Sequence, residues 1–195
     1  MKKITNIKVL ILCVLLVSSV IFTLVVLGNR APARIESDSS KLDRLMADIG
    51  VAGHSFSTDT FAVKLRNTAG RFIRLDEYQG KVVFLNFWAT WCPACITEMP
   101  AMEKLHRKLA GKNFVMVTVN VKESASRVKT FFDKNKLTFT ALLDTTGEVS
   151  TEFALRAIPT TFILDKSGNI IGRIAGPRDW NSKNMVALFE QLADG

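Results

Sequence analysis

Two cysteines, Cys92 and Cys95, are the residues of this chain best suited to do chemistry. They lie in the stretch FWATWCPACITEMP (87–100), after an apolar run rich in aromatic residues and before an acid and a proline. Thiols at this spacing can close a disulfide, and a thiolate can attack a disulfide in another molecule. The same pair could instead supply half of a metal site or act as a structural staple.

The other residues able to bind a metal do not complete a site around this pair. A structural zinc site takes four ligands, but the remaining candidates are only Cys13, His54 and His106. His106 lies about three turns after Cys95 on the same predicted helix, where we expect it to be exposed and out of reach of a shared ion. A staple closing so short a loop would constrain little of the unfolded chain. We therefore favour redox exchange, with no metal and no cofactor beyond the Cys92–Cys95 dithiol.

The predicted position of the pair explains how one thiol becomes reactive. The run KVVFLNFW (81–88) is typical of a central strand covered on both faces, and 92–109 has helical spacing. The free N–H groups and macrodipole at the start of a helix can lower the pKa of a cysteine from about 8.5 to roughly 3.5–7.5. We therefore predict Cys92, the more exposed thiol, as the nucleophile and Cys95, one turn deeper, as the resolving thiol.

Strands and helices alternate from residue 55 onward, which predicts an α/β fold. A parallel β-α-β core followed by a hairpin and a final helix indicates a mixed α/β sandwich. The predicted elements are a hairpin over 61–75, a turn or short helix over 76–80, strands over 81–88, 114–120 and 137–144, helices over 92–109, 124–136 and 147–155, a hairpin over 160–176 and a helix over 179–194.

The net charge of +8 does not indicate nucleic-acid binding. Residues 1–34 hold five basic residues and no acid, so the other positions carry 21 basic (26 − 5) and 18 acidic residues, a net charge of +3. That balance is ordinary for a soluble surface and leaves no concentrated basic stripe. We therefore expect no nucleic-acid partner.

The N-terminal segment predicts a membrane anchor. Residues 9–27 are uncharged and long enough to cross a bilayer as one helix, and Cys13 inside them is expected to be an apolar filler. The small residues at 31–33 keep a cleaved signal peptide open as an alternative. Lys2, Lys3 and Lys8 favour a cytoplasmic N-terminus, which places the rest in the periplasm as a single-pass protein of the cell inner membrane.

Three parts of the chain follow from these patterns. Residues 1–30 are predicted to form a cytoplasmic stub and the anchor. Residues 31–54 are predicted to be a linker with a short amphipathic helix that packs on the domain. Residues 55–195 are predicted to form the catalytic domain.

Three motifs resemble membrane-anchored thioredoxin-like proteins of the TlpA/ResA type, the group that includes the cytochrome c maturation thioredoxins. The motifs are LNFWATWCPAC (85–95), EMP (98–100) and IPTTF followed by LD (158–165). The resemblance covers residues 55–195. It implies a thioredoxin-like fold with an N-terminal β-hairpin and an inserted helix–strand element within 120–159, preceded by a single transmembrane helix.

The resemblance also implies roles for residues around the cysteines. Pro159 would be a cis-proline facing the disulfide, and the backbone of Ile158 would pair with an extended substrate segment. Trp91 would cover the edge of the site. Asn86 holds the position where thioredoxin has a buried aspartate, so the acid of this chain would be Glu98, a proton relay if it is buried and a surface residue otherwise.

The function implied is that of a protein-disulfide reductase. Its partners would be disulfide-containing proteins outside the cytoplasm, apocytochrome c among them, and a membrane electron donor of thiol type that keeps the dithiol reduced. An oxidant or isomerase and a metal or haem chaperone using the dithiol stay open as alternatives. A peroxide reductase is disfavoured because that class has Thr or Ser three residues before its cysteine, where this chain has Ala89.

Overall fold

The computed structural model describes residues 62–195 together with Met46. The seven strands are β1 Lys64–Asn67, β2 Phe72–Arg74, β3 Val82–Trp88, β4 Phe114–Val121, β5 Thr140–Asp144, β6 Thr160–Leu164 and β7 Ile170–Ala175. The helices are α1 Pro93–Lys108, α2 Ala125–Asn135, α3 Glu148–Glu152 and α4 Lys183–Asp194, and a 3-10 helix, Leu75–Tyr78, follows β2.

The seven strands form one mixed sheet in the order β2-β1-β5-β4-β3-β6-β7. Strands β3, β4 and β5 are parallel, whereas β1 joins β5 and β6 joins β3 in antiparallel register. The predicted N-terminal hairpin is β1–β2, and the predicted C-terminal hairpin is β6–β7. The stretch 120–159 contains α2, β5 and α3, which agrees with the expected insertion of a helix and a strand.

Strand β3 is the centre of the core because every one of its residues is buried. Its side chains alternate between the two faces of the sheet. Phe84 and Trp88 belong to a cluster that includes the apolar side of α1, α2 and α4, whereas Leu85 and Phe87 belong to a second cluster with Phe153 just after α3. The prediction of a strand covered on both faces is confirmed. The helices and loops on both faces of the sheet therefore pack against this one strand.

The strand expected over 137–144 begins only at Thr140. Leu137 donates its N–H to Phe132 O at 3.1 Å, which closes the end of α2. Thr138 donates its N–H and its hydroxyl to the carboxylate of Glu103 on α1, at 2.8 and 2.6 Å. These residues therefore bind the two neighbouring helices instead of extending the sheet.

The last helix begins at Lys183 and not at 179 as the sequence pattern suggests. Ser182 is its N-cap and accepts the N–H of Met185 at 3.4 Å, while Ser182 donates its own N–H to Asp179 O at 3.1 Å. A turn therefore separates β7 from α4. Trp180, which the helical prediction included, lies in this turn and is fully buried.

The predicted anchor at 9–27, the tether and His54 lie outside the described residues. Met46 is helical and half-buried against the cluster that contains Phe84, which agrees with an amphipathic segment packed on the domain. Within residues 62–195, no helix is both long enough and apolar enough to cross a membrane. The division of the chain at residues 30 and 54 stays a prediction.

Candidate active site

The candidate site lies where β3 gives way to α1, at the carboxyl end of the parallel strands. Cys92 is the N-cap of α1, and Pro93 is its first helical residue, where the missing N–H of proline has no cost. A disulfide joins Cys92 to Cys95, with the two Cα atoms 5.3 Å apart. The predicted placement of the pair at the start of a helix is confirmed.

The start of α1 presents positive electrostatic potential to the sulfur of Cys92. The N–H of Cys95 points at Cys92 Sγ at 3.2 Å. The first turn of the helix contains no acidic residue, and its last turn contains His106, Arg107 and Lys108, as the macrodipole favours. On reduction, a thiolate at Cys92 would therefore gain the hydrogen bond from the N–H of Cys95 and the helix field at the N-cap, whereas Cys95 lies inside the first turn and is fully buried.

The two sulfurs differ in access, although less than we expected. Cys95 is fully buried, and Cys92 is only 4% exposed in the disulfide form. Ile158 O lies 3.7 Å from Cys92 Sγ, so the loop before β6 covers the sulfur from one side. The predicted order of exposure holds, but Cys92 is not an open surface group while the disulfide is closed.

The loop opposite the disulfide has the backbone conformation that the resemblance implied. The peptide bond between Ile158 and Pro159 is cis. Pairing of β6 with its neighbours begins at Thr160, so the backbone of Ile158 lies beyond the paired part of the strand. Trp91 stands beside Cys92 with 63% of its surface exposed. An extended segment of another chain could therefore lie along Ile158 and against the Trp91 ring.

A buried carboxylate fixes the loop that precedes Cys92. Glu123, two residues after the end of β4, accepts the N–H of Thr90 at 2.7 Å and the hydroxyl of Thr90 at 2.5 Å. It also accepts the side-chain amide of Asn120 at 2.7 Å and pairs with Arg127 at 3.5 Å. Burial alone would raise the pKa of Glu123, but these hydrogen bonds outweigh burial and hold the pKa below its ordinary value. The site is thus held by β4 as well as by β3.

Glu98, one turn after Cys95 on α1, is buried with 3% exposure. Its Oε2 accepts the indole N–H of Trp180 at 2.8 Å and the backbone N–H of Arg178 at 3.2 Å, and its Oε1 accepts the side-chain amide of Asn86 at 3.0 Å. Burial raises the pKa of Glu98 from 4.5 to about 7, even though these three hydrogen bonds act in the opposite direction. The surface alternative for Glu98 is excluded.

The side-chain amide of Asn86 can form a hydrogen bond with Glu98 in either of its charge states. Its amide nitrogen donates to Glu98 Oε1 at 3.0 Å and to Thr161 Oγ1 at 2.9 Å, while its Oδ1 is buried without a partner among the described residues. Rotating the amide by 180° would let Oδ1 accept both the proton of a neutral Glu98 and the hydroxyl of Thr161. The buried amide can therefore satisfy the acid whether or not it carries a proton.

The acid also has a route to water. Glu98 lines a surface pocket of about 440 Å³ together with Thr97, Ala101 and the residues 177–179. A proton released by Glu98 can leave through this pocket without crossing the apolar core. The arrangement as a whole can break and form a disulfide while a nearby carboxyl takes up or gives up a proton near neutral pH.

The residues around the thiols do not form a metal site in the part of the chain that the structure describes. No group of three or more His, Cys, Asp or Glu side chains in residues 62–195 is arranged to hold an ion. His106 is half-buried, not exposed as we expected, because its ring packs edge-on against Phe139 with centroids 6.1 Å apart. Burial lowers the pKa of His106.

The family of the chain follows from its relatives. A sequence profile of the AhpC/TSA family matches residues 57–173. ResA, a thiol-disulfide oxidoreductase of Geobacillus thermodenitrificans, is 35% identical over 142 residues, which cover 68% of this chain and 82% of that protein. The chain belongs to the ResA-type thiol-disulfide oxidoreductases of the AhpC/TSA family. The Cys92–Cys95 disulfide is the motif this activity requires.

Solved structures support the fold of this ResA-type protein. StoA from Bacillus subtilis is 29% identical, with a TM-score of 0.56 over 64% of this chain and 95% of that one. A thiol:disulfide interchange protein of the thioredoxin family from Chlorobium tepidum is 25% identical, with a TM-score of 0.60 over 73% and 97% of the two chains. The thioredoxin-like fold expected from the motifs is thereby confirmed.

The sequence analysis assigned no role at the site to three residues that contribute to it. Glu123 gave no signal because its partner Thr90 lies 33 positions away. Arg178 and Trp180 belong to the stretch GPRDW (176–180), but Trp180 meets Glu98 across 82 positions. The sequence pattern places Trp180 in a helix over 179–194, and only the fold of the ResA-type domain shows that Trp180 lies in a turn that closes on Glu98.

The first prediction concerns the bond between Thr90 and Glu123. Thr90→Val keeps the shape of the side chain but removes one hydrogen bond to a buried carboxylate, so the free energy of unfolding should fall by about 1.5–3 kcal/mol. Thr97→Val is the matched control, because the exposed hydroxyl of Thr97 bonds within α1 and its loss should cost less than about 0.5 kcal/mol. Urea unfolding of the oxidised proteins measures both, and equal losses would contradict a role for Glu123 in holding the loop.

The second prediction concerns the titration of Glu98. Because its pKa is raised on folding, the stability contributed by the neutral acid is full below about pH 4.5 and is lost as the pH rises through about 7. Relative to Glu98→Gln, the wild-type protein should therefore lose about 3 kcal/mol of unfolding free energy between about pH 4 and pH 8.

Glu152→Gln is the control for that experiment, since it removes the same charge from the exposed end of α3. Its unfolding free energy should stay within about 0.5 kcal/mol of the wild-type value at each pH. Both variants are measured with the disulfide closed. A difference between wild type and Glu98→Gln that does not change with pH would show that Glu98 does not titrate in this range.

Proposed function

We propose that Cys92 is the nucleophile and Cys95 the resolving thiol of a reductase that opens disulfides in other proteins. The observation that carries this proposal is the N–H of Cys95 directed at Cys92 Sγ at the start of α1. The same geometry favours a thiolate at Cys92 and leaves Cys95 as the buried partner. The dithiol is the only redox group the proposal needs.

The exchange proceeds in two steps. In the reduced protein, the Cys92 thiolate attacks one sulfur of a substrate disulfide, a mixed disulfide forms, and the other substrate sulfur leaves as a thiolate. Cys95 then loses its proton and attacks Cys92 Sγ, which closes the Cys92–Cys95 disulfide and releases the second substrate thiolate. The substrate gains two electrons, the dithiol loses two, and the substrate thiolates take up protons from the surroundings.

Glu98 is proposed as the proton relay for the second step. It lies one turn after Cys95 on α1, and its pKa of about 7 means that it can hold or release a proton at neutral pH. It would take the proton that Cys95 loses and pass it to water in the pocket beside Arg178. Asn86 and Trp180 position the carboxyl for this task.

Electrons are proposed to flow from this protein to its substrates. The resemblance to ResA-type reductases and the Ile158–Pro159 pair support this direction, with a thiol-type electron donor in the membrane that reduces the dithiol again. Proteins with paired cysteines of this spacing differ in potential by about 150 mV, so an oxidant or isomerase is the alternative. The measured midpoint potential of the pair decides between them.

The chain is proposed to act from the outer face of the cytoplasmic membrane. Residues 9–27 support a single span, and the basic residues before them support a cytoplasmic N-terminus with the catalytic domain in the periplasm. Substrates would then be extracytoplasmic proteins with disulfides. Apocytochrome c is the substrate that the resemblance suggests, which would give the protein a role in cytochrome c biogenesis.

A trapping experiment tests the roles of the two thiols. Cys95→Ala leaves Cys92 able to attack but unable to be released, so it should accumulate mixed disulfides with partner proteins that reducing agent dissolves. Cys92→Ser is the matched control, because its remaining thiol is fully buried and should trap nothing. Both variants also carry Cys13→Ala, which removes the only other cysteine.

The outcomes separate the proposal from its rival. Covalent partners on Cys95→Ala but not on Cys92→Ser support the exchange mechanism. No covalent partner, together with one equivalent of metal bound by the reduced wild-type protein, would favour a chaperone that uses the dithiol as a clip. Equal trapping by both variants would contradict the assignment of Cys92 as the nucleophile.

A separate experiment tests the membrane anchor. The full chain should stay in the membrane fraction after alkaline extraction, at its full mass, with residues 62–195 open to protease only from the periplasmic side. Placing charges at the middle of the span with Leu15→Arg and Ile21→Asp should weaken insertion, because each costs about 2.5–3.5 kcal/mol there. A soluble product that begins after residue 30 would instead indicate a cleaved signal peptide.

A further inference from the structure

The exposed ring of Trp91 separates two surface pockets beside the disulfide. The first has a volume of about 510 Å³ and runs from Trp91 along Ile158 to Leu155 and the end of β4. The second has a volume of about 400 Å³ and lies between Trp91 and the exposed side of α2. A segment that presents a disulfide to Cys92 and contacts this ring can extend into either pocket.

Both pockets carry positive charge that no carboxylate in their walls balances. Lys122 and Arg156 line the first pocket, and Arg127 and Lys134 line the second. Arg127 pairs with the buried Glu123 at 3.5 Å. Among the described residues the other three have no ion-pair partner, and all three are exposed.

The first pocket combines this charge with an apolar wall. Val121, Leu155 and Ile158 are half-buried and line it beside Trp91. The aliphatic part of Lys122 lies across Gly147, where an added Cβ would collide with Lys122 Cε. The pocket can therefore receive an apolar side chain while the cationic ends at its rim face the neighbouring residues of a bound segment.

From these observations we infer that the substrates of this protein carry acidic residues next to the disulfide that is reduced. The cysteine of the substrate would lie at Cys92, an apolar neighbour would enter the first pocket, and a carboxylate within a few residues would face Lys122 and Arg156. The inference rests on the proposed reductase function and adds a charge preference to it. The cations line two pockets that share Trp91, the residue before Cys92, which favours a protein segment that carries the disulfide over a lipid surface as their partner.

The test uses the full chain in a neutral detergent and three peptides that differ at two positions. Each peptide contains one internal disulfide with a leucine before the attacked cysteine, and the two residues flanking that pair are Asp, Asn or Lys. Dithiothreitol recycles the dithiol, and kcat/KM is measured for each peptide at low and high salt. The acidic peptide should be reduced about tenfold faster than the basic one at low salt, and the ratio should approach one at high salt.

Two double variants locate the effect on the surface. Lys122→Glu/Arg156→Glu should invert the preference so that the basic peptide reacts faster. Lys81→Glu/Lys166→Glu makes the same change in net charge at the opposite end of the sheet, next to the contact between Gly80 N–H and Lys166 O, and should keep the wild-type ratio. Because each ratio comes from one sample, a partly unfolded variant lowers both rates without inverting their order.

Each outcome decides one question. If the wild-type protein reduces none of the three peptides, the proposed function fails. If it reduces them equally, or if Lys81→Glu/Lys166→Glu changes the ratio as much as the pocket variant does, the function stands and the charge preference is wrong. A third result would assign the cations to a membrane surface instead. In that case the three peptides are reduced equally, and anionic vesicles bind the wild-type chain but not Lys122→Glu/Arg156→Glu.

Discussion

The chemistry of the domain depends on one sulfur atom at the N-cap of a helix. Cys92 Sγ faces the N–H of Cys95 and the positive end of α1, and this position exists because β3 ends at Trp88 and four residues, the last of them Cys92, separate it from α1. The two apolar clusters on either side of β3 hold the strand in place up to that junction. The hydrophobic core thus acts on the chemistry by fixing where a strand ends.

The pKa values of two buried carboxylates near this junction are shifted in opposite directions, and their hydrogen bonds and burial explain why. Glu123 receives hydrogen bonds from Thr90, Asn120 and Arg127, which are enough to keep it charged in spite of burial. Glu98 receives three hydrogen bonds where Glu123 receives four, it lies deeper and burial prevails, so its pKa rises to about 7. One acid therefore serves as a fixed structural anion and the other can exchange its proton.

The sequence predicted the parts of this site that depend on local pattern. The strand, the turn into a helix and the spacing of Cys92 and Cys95 lie within 81–109, and apolar periodicity with helix-end chemistry is enough to place them. The cis bond before Pro159 and the importance of Glu98 came from family motifs. Periodicity could not predict the partners of Glu98 and Thr90, because those contacts join residues 82 and 33 positions apart.

Contacts between residues far apart in the sequence also explain why the predicted strand over 137–144 and the predicted helix over 179–194 begin too early. The residues 137–139 look like part of a strand, yet Glu103 on α1 binds both polar groups of Thr138 and stops the sheet from extending. The turn before α4 looks helical, yet Trp180 packs into the core. Its ring contacts Phe84 edge-on, with centroids 4.7 Å apart, and its indole N–H donates to Glu98. In both places a tertiary contact outweighs the local helix or strand preference.

The contact between Trp180 and Glu98 also has a consequence for the maturation of the protein. Both cysteines and the acid belong to the first half of the domain, but the indole that covers the acid belongs to one of its last segments. A nascent chain whose C-terminal segment has not docked already has its dithiol, while its Glu98 faces water and behaves as an ordinary carboxylic acid. Glu98 therefore acquires its raised pKa only when the segment around Trp180 packs against α1.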